Sequence, residues 1–285
     1  MHPDPWGTLY IVATPIGNLA DMSPRAVDVL HSVEIIACED TRHSKKLLDH
    51  YHIKSPTMTY HDHSDRQSAD KILDRLDRGD SVALISDAGT PLISDPGYRL
   101  VAEARKRGLN VIPIPGSCAL VSALSVSGLA TDRFSFIGFL PAKSSARKSV
   151  LQARQSANET LVCYEAPHRI VETLADAVAV LGGQREAFIA REISKKFETY
   201  SRATLFELHA MVSDDSFQQR GEMVLVIAAS PPSPGVITAD AERILQLLVG
   251  ELSPSKAASL AAKITGLDKR ALYQRAIETS PPTSP

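Results

Sequence analysis

Residues 85–97, ISDAGTPLISDPG, hold the densest run of chemically useful residues in the chain. The triplet Ile-Ser-Asp occurs twice, ending at Asp87 and at Asp95, and glycine follows each time at Gly89 and Gly97. Glycine permits backbone angles that other residues resist, and Asp and Ser bond back to nearby amides. Two such turns in tandem, directly after the apolar run 82–85, make a shaped loop at the carboxyl end of a strand. Ligands of open α/β sheets bind at that end. Five more loops at expected strand ends share this composition: 14–18, 39–42, 61–63, 115–117 and 165–169. Rich in Pro, Gly, Ser, Thr and single charges, they suit a neutral or cationic nucleoside. Backbone amides and carbonyls would hold it, with apolar contacts for its base.

Other chemistries lose weight. After the first strand there is neither a G-x-G-x-x-G nor a G-x-x-x-x-G-K-[ST] phosphate loop. A G-x-S-x-G elbow and an H-E-x-x-H helix are absent too. The three cysteines, Cys38, Cys118 and Cys163, lie far apart in apolar surroundings, which argues for buried thiols rather than a zinc site or disulfides.

The elements that must position these loops follow from the apolar patterning. Strands are expected at 8–13, 33–38, 57–60, 81–85 and 109–114, separated by helices at 23–31, 44–51, 66–78 and 97–106. This alternation predicts a mainly parallel α/β domain over 1–115. From 116 to 230 the strands 134–140, 160–164, 186–190 and 222–229 have fewer crossover helices between them, which predicts a second α/β domain with a mixed sheet. Helix 144–157 is expected to carry Arg147, Lys148 and Arg154 on its outer face. Residues 230–235 read as a linker, and a helical extension follows over 236–279. Within it, Ser253-Pro254 opens a helix that Gly266 ends, and Asp268 caps the next.

The 285 residues, 44% apolar and 22% charged, are those of a globular protein with ample core. A net charge of −2 offers no global attraction to nucleic acid, so any such contact must come from a local basic patch. The amino terminus lacks a basic region ahead of a long apolar run, so no signal peptide is expected, nor a membrane span.

Six segments, ATPIGNLADMSPRA, CEDTRHSKKLL, SDAGTPLISDPG, PIPGSCALVSAL, CYEAPHRI and REISKKFE, closely resemble the ribosomal RNA small subunit methyltransferase I family. They stand in family order over residues 7–229. The resemblance implies a tetrapyrrole methylase fold: two α/β domains with a cofactor cleft between them, usually in a homodimer, and a small helical carboxyl-terminal extension. It implies transfer of a methyl group from S-adenosylmethionine to the 2′-oxygen of a cytidine in 16S rRNA, in the cytoplasm. Carried over by motif, the cofactor contacts would be Pro15, Ile16 and Gly17, then Asp87, Ala88, Gly89 and Thr90, then Ile93, Ser94 and Asp95. From the second domain would come Ser117, Cys118, Ala119, Tyr164 and Glu165.

That reaction needs no metal, because the sulfonium already activates the methyl group. It does need the ribose hydroxyl to lose its proton. Asp40, His61 and His63 are expected as base or orienting group, although Asp40 could equally cap the helix after it. Arg42 and Arg169 could bind phosphates flanking the target ribose, and Lys195 and Lys196 are further RNA contacts by their motif. The extension resembles a helix-turn-helix pair carrying Lys269, Arg270 and Arg275, suited to RNA or to packing. Two alternatives remain: a methyltransferase of small tetrapyrroles on the same fold, and a non-catalytic RNA-binding assembly factor.

Overall fold

In the computed structural model, which describes residues 6–61, 66–231 and 239–279, the chain forms two compact units that divide after Ala229. The first unit contains two five-stranded sheets.

The first sheet is built from β1 (Thr8–Val12), β2 (Ile35–Cys38), β3 (Thr57–Thr59), β4 (Val82–Ile85) and β5 (Asn110–Ile114). Its order is β3-β2-β4-β1-β5 and every pairing is parallel. Helices α1 (Pro24–Ser32), α2 (Thr41–His50), α3 (Arg66–Asp77) and α4 (Tyr98–Lys106) make the crossovers. All four residues of β2 and of β4 are buried, as expected of parallel strands covered on both faces. Successive side chains point to opposite faces. Val82 and Leu84 therefore join Ile72, Leu73 and Leu100 from α3 and α4. Ala83 and Ile85 join Ala26, Leu30 and Leu48 from α1 and α2 on the other side. With all strands parallel, the loops after β1, β2 and β4 emerge at one edge.

After α5 (Ala119–Val126), the second sheet has the order β6-β7-β10-β8-β9. Its strands are β6 (Phe134–Phe139), β7 (Thr160–Glu165), β8 (Glu186–Arg191), β9 (Thr199–Thr204) and β10 (Met223–Ile227). Only β6 and β7 run parallel; β10 lies antiparallel between β7 and β8. The start of β10 is thus brought beside the end of β7, with Met223 opposite Glu165. Helices α6 (Ser144–Gln152), α7 (Ile170–Leu181) and α8 (Leu205–Asp214) cover one face, and α5 covers the other. Edge strand β9, TYSRAT, is not among the strands expected from sequence, because it has too few apolar residues for its alternation to stand out.

Two expectations about α6 are corrected. The helix ends at Gln152, not Ala157, and turns continue the chain, with the Gln155 carbonyl accepting from Arg185 at 2.7 Å. Arg147 does not face outward: it is fully buried, its Nε 2.7 Å from Asp176 Oδ2 on α7. Ser144 and Lys148 also bind Asp176, at 3.0 and 3.3 Å.

The second unit packs α9 (Ala239–Glu251), α10 (Pro254–Thr265) and α11 (Lys269–Thr279) around Leu245, Ala257, Ala261 and Leu272. Gly266 ends α10 in the left-handed region at φ 71°, and Asp268 Oδ2 accepts from the Ala271 amide at 2.9 Å. Among the described residues no helix is long and apolar enough to cross a membrane.

Candidate active site

The loops after β1 and β4 are joined by their backbones. Thr14 N donates to the Gly89 carbonyl at 2.9 Å, and Gly89 N donates to the Thr14 carbonyl at 3.0 Å. Glycine at 89 is favoured by its φ of +84°, and a Cβ there would stand a tight 3.3 Å from Ile16 Cγ2. Thr90 Oγ1 then donates to the Ser117 carbonyl at 3.0 Å, tying the loop to the start of the second half. Beyond it Leu92 (φ 74°) and Ser94 (φ 67°) are held left-handed without being glycine. Glu192 (φ 53°) and Ser194 (φ 64°) repeat this after β8. Such backbone costs about 1–3 kcal/mol per residue and collects at ligand sites.

Between these loops lies a cavity of about 410 Å³. Ile16, Asp87, Ala88, Gly89, Thr90, Ile93, Ser94 and Asp95 line it from the first half. Cys118, Ala119, Tyr164 and Glu165 line it from the second. Pro15 and Gly17 instead line an adjoining cavity of about 400 Å³, while Ser117 contributes its carbonyl to Thr90. Sequence reasoning missed Phe139, Pro167, Ile193, Glu222, Met223 and Val224 on the first cavity. Met223 and Val224 read only as an apolar strand, because it is the antiparallel pairing of β10 with β7 that delivers them.

The cavity is electrostatically uneven. Asp95 is pushed up to about 6 by burial, with the Glu39 and Asp87 carboxylates adding to the rise and the Ser86 hydroxyl opposing it. Glu39 is also raised, by burial and by Asp87, while His61 works the other way. Tyr164 is pushed up to about 12, chiefly by burial. Its ring meets Phe136 and Phe139 edge-on at 4.8 and 5.6 Å, and its hydroxyl accepts from the Leu120 amide at 3.3 Å. Glu165 is buried: Thr173 Oγ1 donates to it at 2.6 Å and the Ala166 amide at 2.8 Å.

The remaining expected residues fall in several places. Asp40 is the N-cap of α2, accepting from the Arg42 amide at 2.8 Å and pairing with its guanidinium at 3.2 Å. These bonds hold its carboxyl below the usual range, and it lines neither cavity. Arg42 is otherwise exposed. His61 is exposed near Glu39, and His63 lies outside the described residues.

Arg169 is turned inward, its Nε 3.2 Å from Glu165 Oε1 and its guanidinium donating to the Leu140 carbonyl. Lys195 reaches into the cleft between Glu192 and Glu222, at 2.9 and 2.8 Å. Lys196 is exposed above the Phe197 ring. In the second unit Lys269 and Arg270 are exposed, whereas Arg275 is paired with Glu242 and Glu278 at 2.8 and 2.9 Å. Among the described residues no group of three or more His, Cys, Asp or Glu side chains is placed to hold a metal ion.

Residues 8–209 match the family described as Tetrapyrrole (Corrin/Porphyrin) Methylases, and residues 235–280 match the RsmI C-terminal HTH domain. The ribosomal RNA small subunit methyltransferase I of Pseudomonas aeruginosa is 54% identical over 95% of this chain and 97% of its own length. That of Escherichia coli O157:H7 is 49% identical over 95% of both chains. Among solved structures, a diphthine synthase superposes with a TM-score of 0.62 at 15% identity, covering 78% of this chain and 90% of its own. A uroporphyrin-III C-methyltransferase from Thermus thermophilus complexed with S-adenyl homocysteine gives 0.53 at 17% identity, covering 77% and 97%. These two establish the shared fold.

Proposed function

The chain belongs to the ribosomal RNA small subunit methyltransferase I family, and on that basis we propose that it methylates the 2′-oxygen of a cytidine in the RNA of the small ribosomal subunit, with S-adenosylmethionine as donor. The observation that carries this reading is the cavity of about 410 Å³ walled by loops from both sheets.

The residues present fit the cofactor. Ile93, Met223 and Val224 with the Phe139 ring provide apolar walls, and the Asp87 and Asp95 carboxylates provide negative charge for a cation. Gly89 lines the cavity with backbone alone. Bound in this cavity, the cofactor supplies a methyl group already activated by its positive sulfur.

What the protein's own residues contribute is placement, exclusion of water and a destination for the proton. Positioning alone can supply much of the rate. Asp40 is engaged by its helix and by Arg42, which makes it a weak base. Asp87 stands on the walls of both cavities, with its Oδ1 accepting from the Asp40 amide at 3.4 Å. It is the carboxylate we assign to take the ribose proton.

The protein is read as a cytoplasmic homodimer, in keeping with its substrate and family. Val121 and Val126 of α5 and Tyr200 of β9 are exposed on the sheet face that α5 covers, which supports a partner there.

The test is incubation with S-adenosylmethionine labelled in its methyl group and unmethylated small subunits, followed by nuclease digestion and mass spectrometry. Label in 2′-O-methylcytidine is expected. Absence of label from RNA, or label on a base, would overturn the reading.

A further inference from the structure

The second cavity, of about 400 Å³, adjoins the one assigned to the cofactor and takes in Pro15 and Gly17, two residues expected from the resemblance to touch the cofactor. It shares Ile16, Asp87, Ala88, Lys195 and Glu222 with the first, so the two adjoin along these residues. A methyl donor in one and an acceptor in the other would meet at that shared edge. Such proximity is what a displacement needs, with reacting atoms about 3–3.5 Å apart.

The outer wall of the second cavity is α2, through His43, Lys46 and Leu47. Ser44 and Leu48 bury the inner face of this helix. Its other face exposes His43, Lys45, Lys46 and His50, together with Arg42, which is paired with the N-cap Asp40, against one acidic residue within the helix, Asp49. Positions 42, 45 and 46 are neighbours on one helical face. In a chain of net charge −2, this is a local basic surface beginning at the cavity mouth. Spaced cations leading into a cavity fit a chain of phosphates with one nucleotide turned inward. A folded protein partner would more often be met by a flatter surface.

We infer that the second cavity seats the target ribonucleotide, and that Lys45 and Lys46 hold the phosphates beside it. The inference rests on the RNA methylation reading above. The shared lining places Asp87 and the Lys195–Glu222 pair at the junction of the two cavities.

The experiment uses the full chain and two variants, Lys45→Glu/Lys46→Glu and Leu19→Trp. Leu19 lines the second cavity and not the first, so an indole there should plug it. Binding of S-adenosylhomocysteine by calorimetry checks folding, and is expected to stay within about twofold of the parent. The double charge reversal should raise KM for RNA at least tenfold. It should also flatten the dependence of RNA affinity on salt by about 1.4 logarithmic units per decade, for two phosphate contacts on a single strand. The plug should cut methyl transfer by about 100-fold, because a displaced ribose loses its alignment.

Parent-like RNA affinity, salt dependence and transfer in both variants would overturn the inference, as would no RNA binding by the parent. Loss of subunit binding with unchanged binding to protein-free RNA would reassign the basic face to a ribosomal protein, which also overturns it. If the parent binds RNA but transfers no label, the function reading fails, and the binding series still decides the seat.

Discussion

Lys195 Nζ lies 2.8 Å from Glu222 Oε2, and the two side chains stand on the walls of both cavities. Lys195 begins in the loop after β8, while Glu222 immediately precedes β10. Burial disfavours the Lys195 charge, but Glu192 and Glu222 outweigh it and hold the ammonium above its usual range. The stem of the same lysine closes over Gly17 in the loop after β1. One side chain thereby links both halves of the first unit at the cleft.

That link can be strained by adding a small group. A Cβ at Gly17 would stand 2.4 Å from Lys195 Cγ, so Gly17→Val must push the lysine stem aside and strain its hold on the two carboxylates. The expected outcome is a loss of methyl transfer of about tenfold or more, since misplacement by an ångström is costly in a positioned site. Gly17 is exposed, so thermal unfolding should change little. Steady-state kinetics with a melting curve on the same sample checks both.

Asp87→Asn keeps the shape of the side chain and an oxygen for the Asp40 amide, but removes the charge. If Asp87 takes the proton, the transfer rate should fall by about 10²–10⁴. Parent-like single-turnover rates would return that role to the His61 loop or to solvent.

Asp95 predicts a pH dependence of stability. Its folded value of about 6 lies above the ordinary 3.8, so its contribution is fully present below about pH 3.8 and is lost as pH rises through 6. The groups it faces are Ser86, Glu39, Asp87 and Tyr164. Asp95→Asn cannot ionise. Its melting temperature relative to the parent should therefore rise between pH 4.5 and pH 8. A difference that stays flat over that range would contradict the placement.

Arg147 is fully buried against Asp176. Arg147→Met leaves Asp176 only Ser144 and Lys148, and should destabilise the chain by about 3–5 kcal/mol. Adding Asp176→Leu should restore much of this, because an apolar pair of similar volume replaces the ion pair. Urea denaturation of the three proteins measures it.

The division after Ala229 predicts that a chain ending at Ser230 keeps its affinity for S-adenosylhomocysteine and loses affinity for RNA. The exposed Lys269 and Arg270 go with the removed unit. Equal loss of both affinities would instead assign the second unit to folding.

Much of this was legible in the chain itself. Runs such as IIAC and VALI have no polar side, so they had to be central strands of a sheet covered on both faces. The paired Ile-Ser-Asp turns marked the loop that lines the cleft, because Asp, Ser, Gly and Pro shape a backbone within a few residues. The Ser253 and Gly266 boundaries of α10 followed from the same local rules.

What the sequence could not determine is where its charged side chains lose their water. Arg147 reads as an outward-facing cation and Arg169 and Lys195 as RNA contacts, yet each turns inward to a carboxylate. For Lys195 the second partner, Glu222, lies 27 residues along the chain. Likewise the shared lining of the two cavities draws Ile16, Asp87, Lys195 and Glu222 from four separate loops. Periodicity and turn chemistry act between neighbours along the chain, so the sequence by itself determined the elements and the loop chemistry. Desolvation and ion pairing depend on partners delivered by strand order, so only the parallel stacking of β1, β2 and β4 and the antiparallel insertion of β10 beside β7 decided which groups meet in the cleft.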